Sequence, residues 1–165
     1  MREADSGDRE AIVSIIKRAG NLTRGEEACA EELLDIYLNN QAQTGYRFVC
    51  AVDGADKIQG YACYGPRPLT DGAYDLYWII VDPDARGNGA GRRLVNAVEE
   101  RLKGNGGRLL IAETSGMEGY AAARRFYTGC GFREEARISG FYKPGDDLVV
   151  YVRRILSLSA GSGPF

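Results

Sequence analysis

The passage that most restricts this chain is YDLYWIIV at residues 74–81 running into DPDARGNGAGRRL. Aromatic and β-branched residues dominate the first eight positions and predict a strand; Pro83 ends it, because proline has no N–H to give to a ladder. Leu94, Val95, Val98 and Leu102 then recur at helical spacing up to Gly104, so a helix follows. Between the two stand Gly87, Gly89 and Gly91, flanked by Arg86, Arg92 and Arg93. A helix begins with N–H groups that have no partner inside it and with the positive end of its dipole. Glycines there let a ligand approach the main chain and let the loop take positive φ. The amides of Gly87, Asn88, Gly89, Ala90, Gly91 and Arg92 are therefore expected to converge on one anion, a phosphate or pyrophosphate.

Anion binding must be local, because the net charge is −2 and no overall positive field exists. Neither nucleic acid nor an anionic membrane is an expected partner. The 165 residues are 44% hydrophobic and 27% charged, which fits one globular domain, taken as residues 1–156 with a flexible tail at 157–165. The absence of histidine removes Ser-His and Cys-His nucleophilic dyads and the common His-bearing zinc sites. Cys29, Cys50, Cys63 and Cys130 are widely spaced with no C-x-x-C pair, so they are expected to be small core residues, with no metal. Thiols of this kind, with no apolar leader or 18-residue apolar stretch, point to the cytoplasm.

Helical spacing is found at 8–19 and at 26–40, with a loop between. Residues 47–52 and 57–64 form a hairpin around Asp53-Gly54-Ala55-Asp56, and Gly65-Pro66-Arg67-Pro68 is expected to be a connection. After the glycine loop and its helix come a strand at 108–112, a helix at 120–128 and an antiparallel pair at 132–142 and 148–155. A vestigial strand is expected at 2–4. The order predicts an α+β fold: a mixed, mostly antiparallel, twisted sheet flanked by about four helices, with one strand-helix-strand crossover.

The loop lacks the G-K-[ST] of a Walker motif and the G-x-G-x-x-G of a dinucleotide fold. Its pattern, Val81-x-Pro83-x-x-Arg86-Gly87-x-Gly89-x-Gly91, resembles the acyl-CoA loop of the GNAT superfamily of N-acetyltransferases. Ala123-x-x-Phe126-Tyr127-x-x-x-Gly131-Phe132 is similar to a second segment of that family. Tyr120 stands where the family often has asparagine. ETSGMEGY and FYKPGDD resemble one bacterial branch. The resemblance implies a GNAT-like fold, acetyl-CoA as acyl donor, an amine acceptor, main-chain contacts to the coenzyme near Ile79 and Val81, and Tyr127 as the acid that protonates the departing thiolate.

An amine with an ordinary pKa must lose a proton before it attacks, and without histidine the candidates for that base are carboxylates, acting directly or through water. Asp75 is one, on the long strand where alternation would place it with Tyr77, Ile79 and Val81. Glu113 is the other, at the carboxyl end of the next strand. The acceptor pocket is expected to draw on the first two helices, the connection at 64–74 and the last hairpin, with Tyr61, Tyr64, Tyr74, Tyr77 and Trp78 available to line it. A non-catalytic CoA-binding sensor is the alternative from another functional class. Monomer and homodimer both remain open.

Overall fold

The computed structural model describes residues 1–40 and 42–155. The elements run β1 (Arg2–Glu3), α1 (Arg9–Arg18), α2 (Arg24–Asn39), β2 (Arg47–Val52), β3 (Ile58–Pro66), β4 (Ala73–Val81), α3 (Ala90–Lys103), β5 (Leu109–Ser115), α4 (Ala121–Gly129), β6 (Arg133–Lys143) and β7 (Asp146–Arg154). The tail at 157–165 lies outside the described residues. All seven strands join one sheet in the order β1-β2-β3-β4-β5-β7-β6. Every neighbouring pair is antiparallel except β4 and β5, which the α3 crossover returns in the same direction.

Period-two alternation divides β2 between the two faces of the sheet. Val49 and Ala51 meet Leu94, Val95, Val98 and Leu102 of α3, all fully buried. Phe48 and Cys50 meet Ile12, Ile15 and Ile16 of α1 and Leu34 of α2. Each such buried aliphatic side chain contributes about 1.5–3 kcal/mol of transfer free energy, which holds the helices to both faces. α2 starts at Arg24, two residues before the spacing suggested, because Thr23 and Glu26 cap it reciprocally: Glu26 N–H donates to Thr23 Oγ1 at 3.2 Å, and Thr23 N–H to Glu26 Oε2 at 2.7 Å.

Several expectations are revised. β3 continues through Gly65 and Pro66, which pair with Asp75 and Tyr74, where a connection was expected. Pro66 is the last residue of the strand, so its missing donor breaks no interior bond, and Arg67 N–H donates to Ala73 O at 2.9 Å just beyond it. At Gly65 the carbonyl of Gly45 lies where a Cβ would stand. β5 extends past the apolar run to Ser115, because Glu113, Thr114 and Ser115 pair with Val150, Val149 and Leu148 of β7. Cys29 is exposed on α2, whereas Cys50, Cys63 and Cys130 are buried; all four are free thiols.

The parallel pair β4–β5 is short. It holds only from Ala73↔Leu109 to Asp75↔Ile111, and the strands part beyond. At the same level β4 carries a bulge: Tyr64 faces Leu76 and Cys63 faces Trp78, so Tyr77 is an extra residue. A bulge bends its strand and increases the local twist, and here it coincides with the opening of a wedge in the middle of the sheet. It also inverts the alternation. Tyr74 and Leu76, then Ile79 and Val81, pack toward α3, while Tyr77, Trp78 and Ile80 pack toward α1 and α2. Asp75 therefore does not share a face with Ile79 and Val81, as uninterrupted alternation predicts.

Candidate active site

A cavity of about 790 Å³ occupies this wedge, within the size range of small-molecule and cofactor sites. Residues 77–81 of β4 form one wall and residues 113–115 of β5 the other. Ala123, Phe126 and Tyr127 of α4 close one side. Asn21, Leu22 and Thr23 from the α1–α2 connection and Glu26 from the first turn of α2 close the other, with Tyr142 near the end of β6 and Asp146 at the start of β7.

Tyr127 is 9% exposed and lines the cavity. Its ring lies 5.5 Å from Phe132 and 5.7 Å from Phe126 and Tyr151. The hydroxyl takes part in none of the hydrogen bonds among the described residues. Burial, reinforced by Cys130, pushes its phenol up to about 12, so it is a protonated donor at neutral pH.

The two candidate bases are tied to one cation. Arg67 Nε donates to Asp75 Oδ1 at 2.9 Å and Oδ2 at 3.1 Å, and Arg67 Nη2 donates to Glu113 Oε1 at 2.8 Å. Those bonds, to Asp75 first and Glu113 second, raise the guanidinium above its ordinary value. Glu113 lines the cavity; Asp75 sits at the closed end of the wedge, outside the lining. Because the Asp75 side chain is only 14% exposed, Arg67→Gln would strand it. We expect a loss of about 1–3 kcal/mol at pH 7, a fall of several degrees in Tm by calorimetry.

At the glycine loop, Gly87 and Gly89 both have φ of +81°, and Gly89 is the N-cap of α3. Asn88 Oδ1 accepts the Ala90 N–H at 3.0 Å, so one of the six expected amides is already engaged within the protein. Arg93 closes the loop by donating from Nη1 to Asn88 O at 2.8 Å. Gly91 is buried, and a Cβ there would come within 2.8 Å of the Phe126 ring, so its bare backbone serves the packing of α3 on α4. Ile79, Val81 and Arg86 line the cavity, and Arg86 is held by donating from Nη2 to Ala19 O at 2.8 Å. Gly87, Gly89 and Arg92 belong to the loop and first turn beside it rather than to the lining.

Of the aromatic residues proposed for the acceptor pocket, Tyr77 and Trp78 line the cavity, whereas Tyr61 and Tyr64 are core and Tyr74 packs on the α3 cluster. The connection at 64–74 contributes nothing to the lining, because it enters β4 at the closed end of the wedge. Glu26, Tyr120 and Asp146 were not anticipated. The Tyr120 hydroxyl donates to Glu26 Oε1 at 3.0 Å across the cavity, and the Ser115 hydroxyl donates to Asp146 Oδ1. Burial and the bond to Glu26 both raise the Tyr120 phenol. The T-x-x-E capping pattern at 23–26 was a legible signal for Glu26 as a helix start, though not for its facing Tyr120, 94 positions away.

The sequence pattern of the Acetyltransferase (GNAT) family matches residues 12–132. The chain belongs to that family. The fold of this GNAT protein agrees: a structure from Desulfovibrio desulfuricans assigned to the GNAT acetyltransferases superposes with a TM-score of 0.89 at 42% identity, over 94% of this chain and 98% of that one. An L-methionine sulfoximine/L-methionine sulfone acetyltransferase of Pseudomonas aeruginosa is 30% identical over 138 residues, 80% of this chain and 78% of the relative. An aminoglycoside 6′-N-acetyltransferase in complex with coenzyme A shares the fold at TM-score 0.71 and 15% identity, with 92% of each chain covered. The GNAT fold expected from the sequence, with its mostly antiparallel mixed sheet and four helices, is the one found.

Proposed function

We propose that this GNAT protein is an acetyl-CoA-dependent N-acetyltransferase that modifies a primary amine of a small molecule or peptide. The observation that carries the reading is the wedge between β4 and β5: Ile79 and Val81 stand on one wall, Tyr127 lines the same cavity with its hydroxyl unpartnered among the described residues, and the glycine loop follows β4 through Arg86. In this reading the pyrophosphate rests on the loop amides outside the Ala90 N–H, and pantetheine runs along β4 in place of the missing β5 partner. Hydrogen bonds to a charged acceptor are worth about 1.5–3 kcal/mol each, so a few amides suffice.

The amine nitrogen bonds to the thioester carbonyl carbon and the C–S bond breaks. The proton shed by the amine passes through water to Glu113, the candidate base that reaches the cavity, and the Tyr127 hydroxyl protonates the thiolate. Asp75 acts at one remove, by sharing Arg67 with Glu113.

Calorimetry with acetyl-CoA, followed by a free-thiol release assay across a panel of amines, tests this. Binding with amine-dependent thiol release is expected. Binding without turnover on any amine would favour the CoA-sensor alternative, and no heat from acetyl-CoA or CoA would remove both readings.

A further inference from the structure

The cavity lining carries a marked negative charge. Its ionisable walls are carboxylates from three separate parts of the chain: Glu26 of α2, Glu113 of β5 and Asp146 at the start of β7. Among the described residues Arg86 is the one Lys or Arg side chain of the lining, and its guanidinium is held at the end of α1 by the bond to Ala19 O. Arg67 pairs with Glu113 from outside the lining and is shared with Asp75, so Arg67, Asp75 and Glu113 together keep one net negative charge. Among the described residues Glu26 receives neutral donors, the Thr23 N–H and the Tyr120 hydroxyl, and Asp146 receives the Ser115 hydroxyl. Neutral donors orient a carboxylate without cancelling its charge.

These carboxylates are not a loose acidic surface. Asp146 is 7% exposed, and the chamber they face is the one into which the nine-tenths buried, unpartnered Tyr127 hydroxyl opens. A chamber of this kind favours positive charge, and one ammonium is insufficient to meet it, because the amine under attack must be neutral when it reacts. A carboxylate on the acceptor would meet three carboxylates against the single guanidinium of Arg86 and would be repelled.

Resting on the acetyltransferase reading, we propose that the acceptor carries a second cationic group besides the amine that is acetylated, as in a diamine or an amine on a basic scaffold, and carries no carboxylate beside that amine. Glu26 and Asp146 hold the second cation, and Tyr77 and Tyr142 provide aromatic surface beside it.

Three acceptors of equal length decide the matter: 1,4-diaminobutane, 4-amino-1-butanol and 4-aminobutanoate, which end in a cation, a neutral group and an anion. With acetyl-CoA saturating, kcat/KM is expected to fall in that order, the diamine exceeding the alcohol by about tenfold or more, well beyond the twofold given by its second amine. The advantage should shrink as ionic strength rises. Glu26→Gln keeps the capping pattern of α2 and should reduce the diamine-to-alcohol ratio severalfold; Asp146→Asn should act in the same direction. Equal rates for the diamine and the alcohol, or a preference for 4-aminobutanoate or L-methionine sulfone, would overturn the proposal while leaving the acetyltransferase reading intact. Absence of thiol release with every amine would end both.

Discussion

Tyr127→Phe is expected to lower kcat by about 10²–10⁴ while the affinity for acetyl-CoA measured by calorimetry stays within about threefold of wild type. The substitution removes one oxygen, and the ring that remains still packs among Phe126, Phe132 and Tyr151. Volume in the core is conserved, so the fold should persist. What is lost is a proton donor at the point where negative charge develops on sulfur. Equal damage to binding and to turnover would remove Tyr127 from the acid role. A pH signature accompanies the change. Burial raises the folded-state phenol from about 10 to about 12, so the donor form persists across the neutral and mildly alkaline range. The same shift makes ionisation oppose folding as the pH rises from 10 toward 12, where stability supplied by the neutral phenol is lost. Tyr127→Phe should therefore show a shallower loss of stability over that window in urea titrations.

Gly89→Val is expected to weaken acetyl-CoA binding by about 100-fold or more. Gly89 has φ of +81°, and the L-residue penalty there is about 1–2 kcal/mol, greater for a β-branched side chain. Arg93 Nη1, at 3.6 Å, is the nearest atom a Cβ would meet, so the protein itself has room for the side chain. The obstruction falls on the ligand: valine methyls would occupy the approach to the first amides of α3. Loss of two hydrogen bonds to a charged acceptor, at about 1.5–3 kcal/mol each, accounts for an effect of that size. Thermal melting should fall by only a few degrees, because the strain is confined to one N-cap. A Gly89→Val protein that binds acetyl-CoA as tightly as wild type would disprove the role assigned to this loop. Gly91→Val is a useful contrast. Its Cβ would press on Phe126, so its principal effect should be on stability.

Much of the fold was legible because its signals are local. The aromatic and β-branched run of β4, the 3.6-residue spacing of Leu94, Val95, Val98 and Leu102, and the glycines between them define strand, loop and helix without reference to distant residues. The short first strand, expected at 2–4, is found at Arg2–Glu3, where it pairs with Cys50 and Val49. Errors arose where a distant partner decides. Polar Glu113, Thr114 and Ser115 read as the end of β5, yet β7 extends the strand through them. Pro66 read as a breaker, yet it falls at a strand terminus where its missing donor costs nothing in the ladder.

Of the residues that line the cavity, Tyr127, Ile79, Val81 and Arg86 were named through the family resemblance and Glu113 from its strand position, and the first two helices, the last hairpin, Tyr77 and Trp78 were expected around the acceptor. Tyr120, Tyr142 and Asp146 lie in the ETSGMEGY and FYKPGDD segments singled out in the sequence, but that they meet Glu26 of α2 in one cavity follows from no short spacing. Asp75 and Glu113 could be proposed as bases from their strand positions, but Arg67 joining both is a contact across 8 and 46 positions.

Periodicity and glycine placement thus determined by themselves the strand, the positive-φ loop and the helix that follows it, and the missing histidine which chemistries are closed to this chain, because these depend on residue type and short spacing. The width of the wedge, the face that Asp75 takes and the carboxylates gathered around the cavity were decided only by tertiary structure. A single bulged residue, Tyr77, reverses strand alternation and accompanies the parting of β4 from β5, and the periodicity of the strand does not reveal a slip set by pairing with its neighbour.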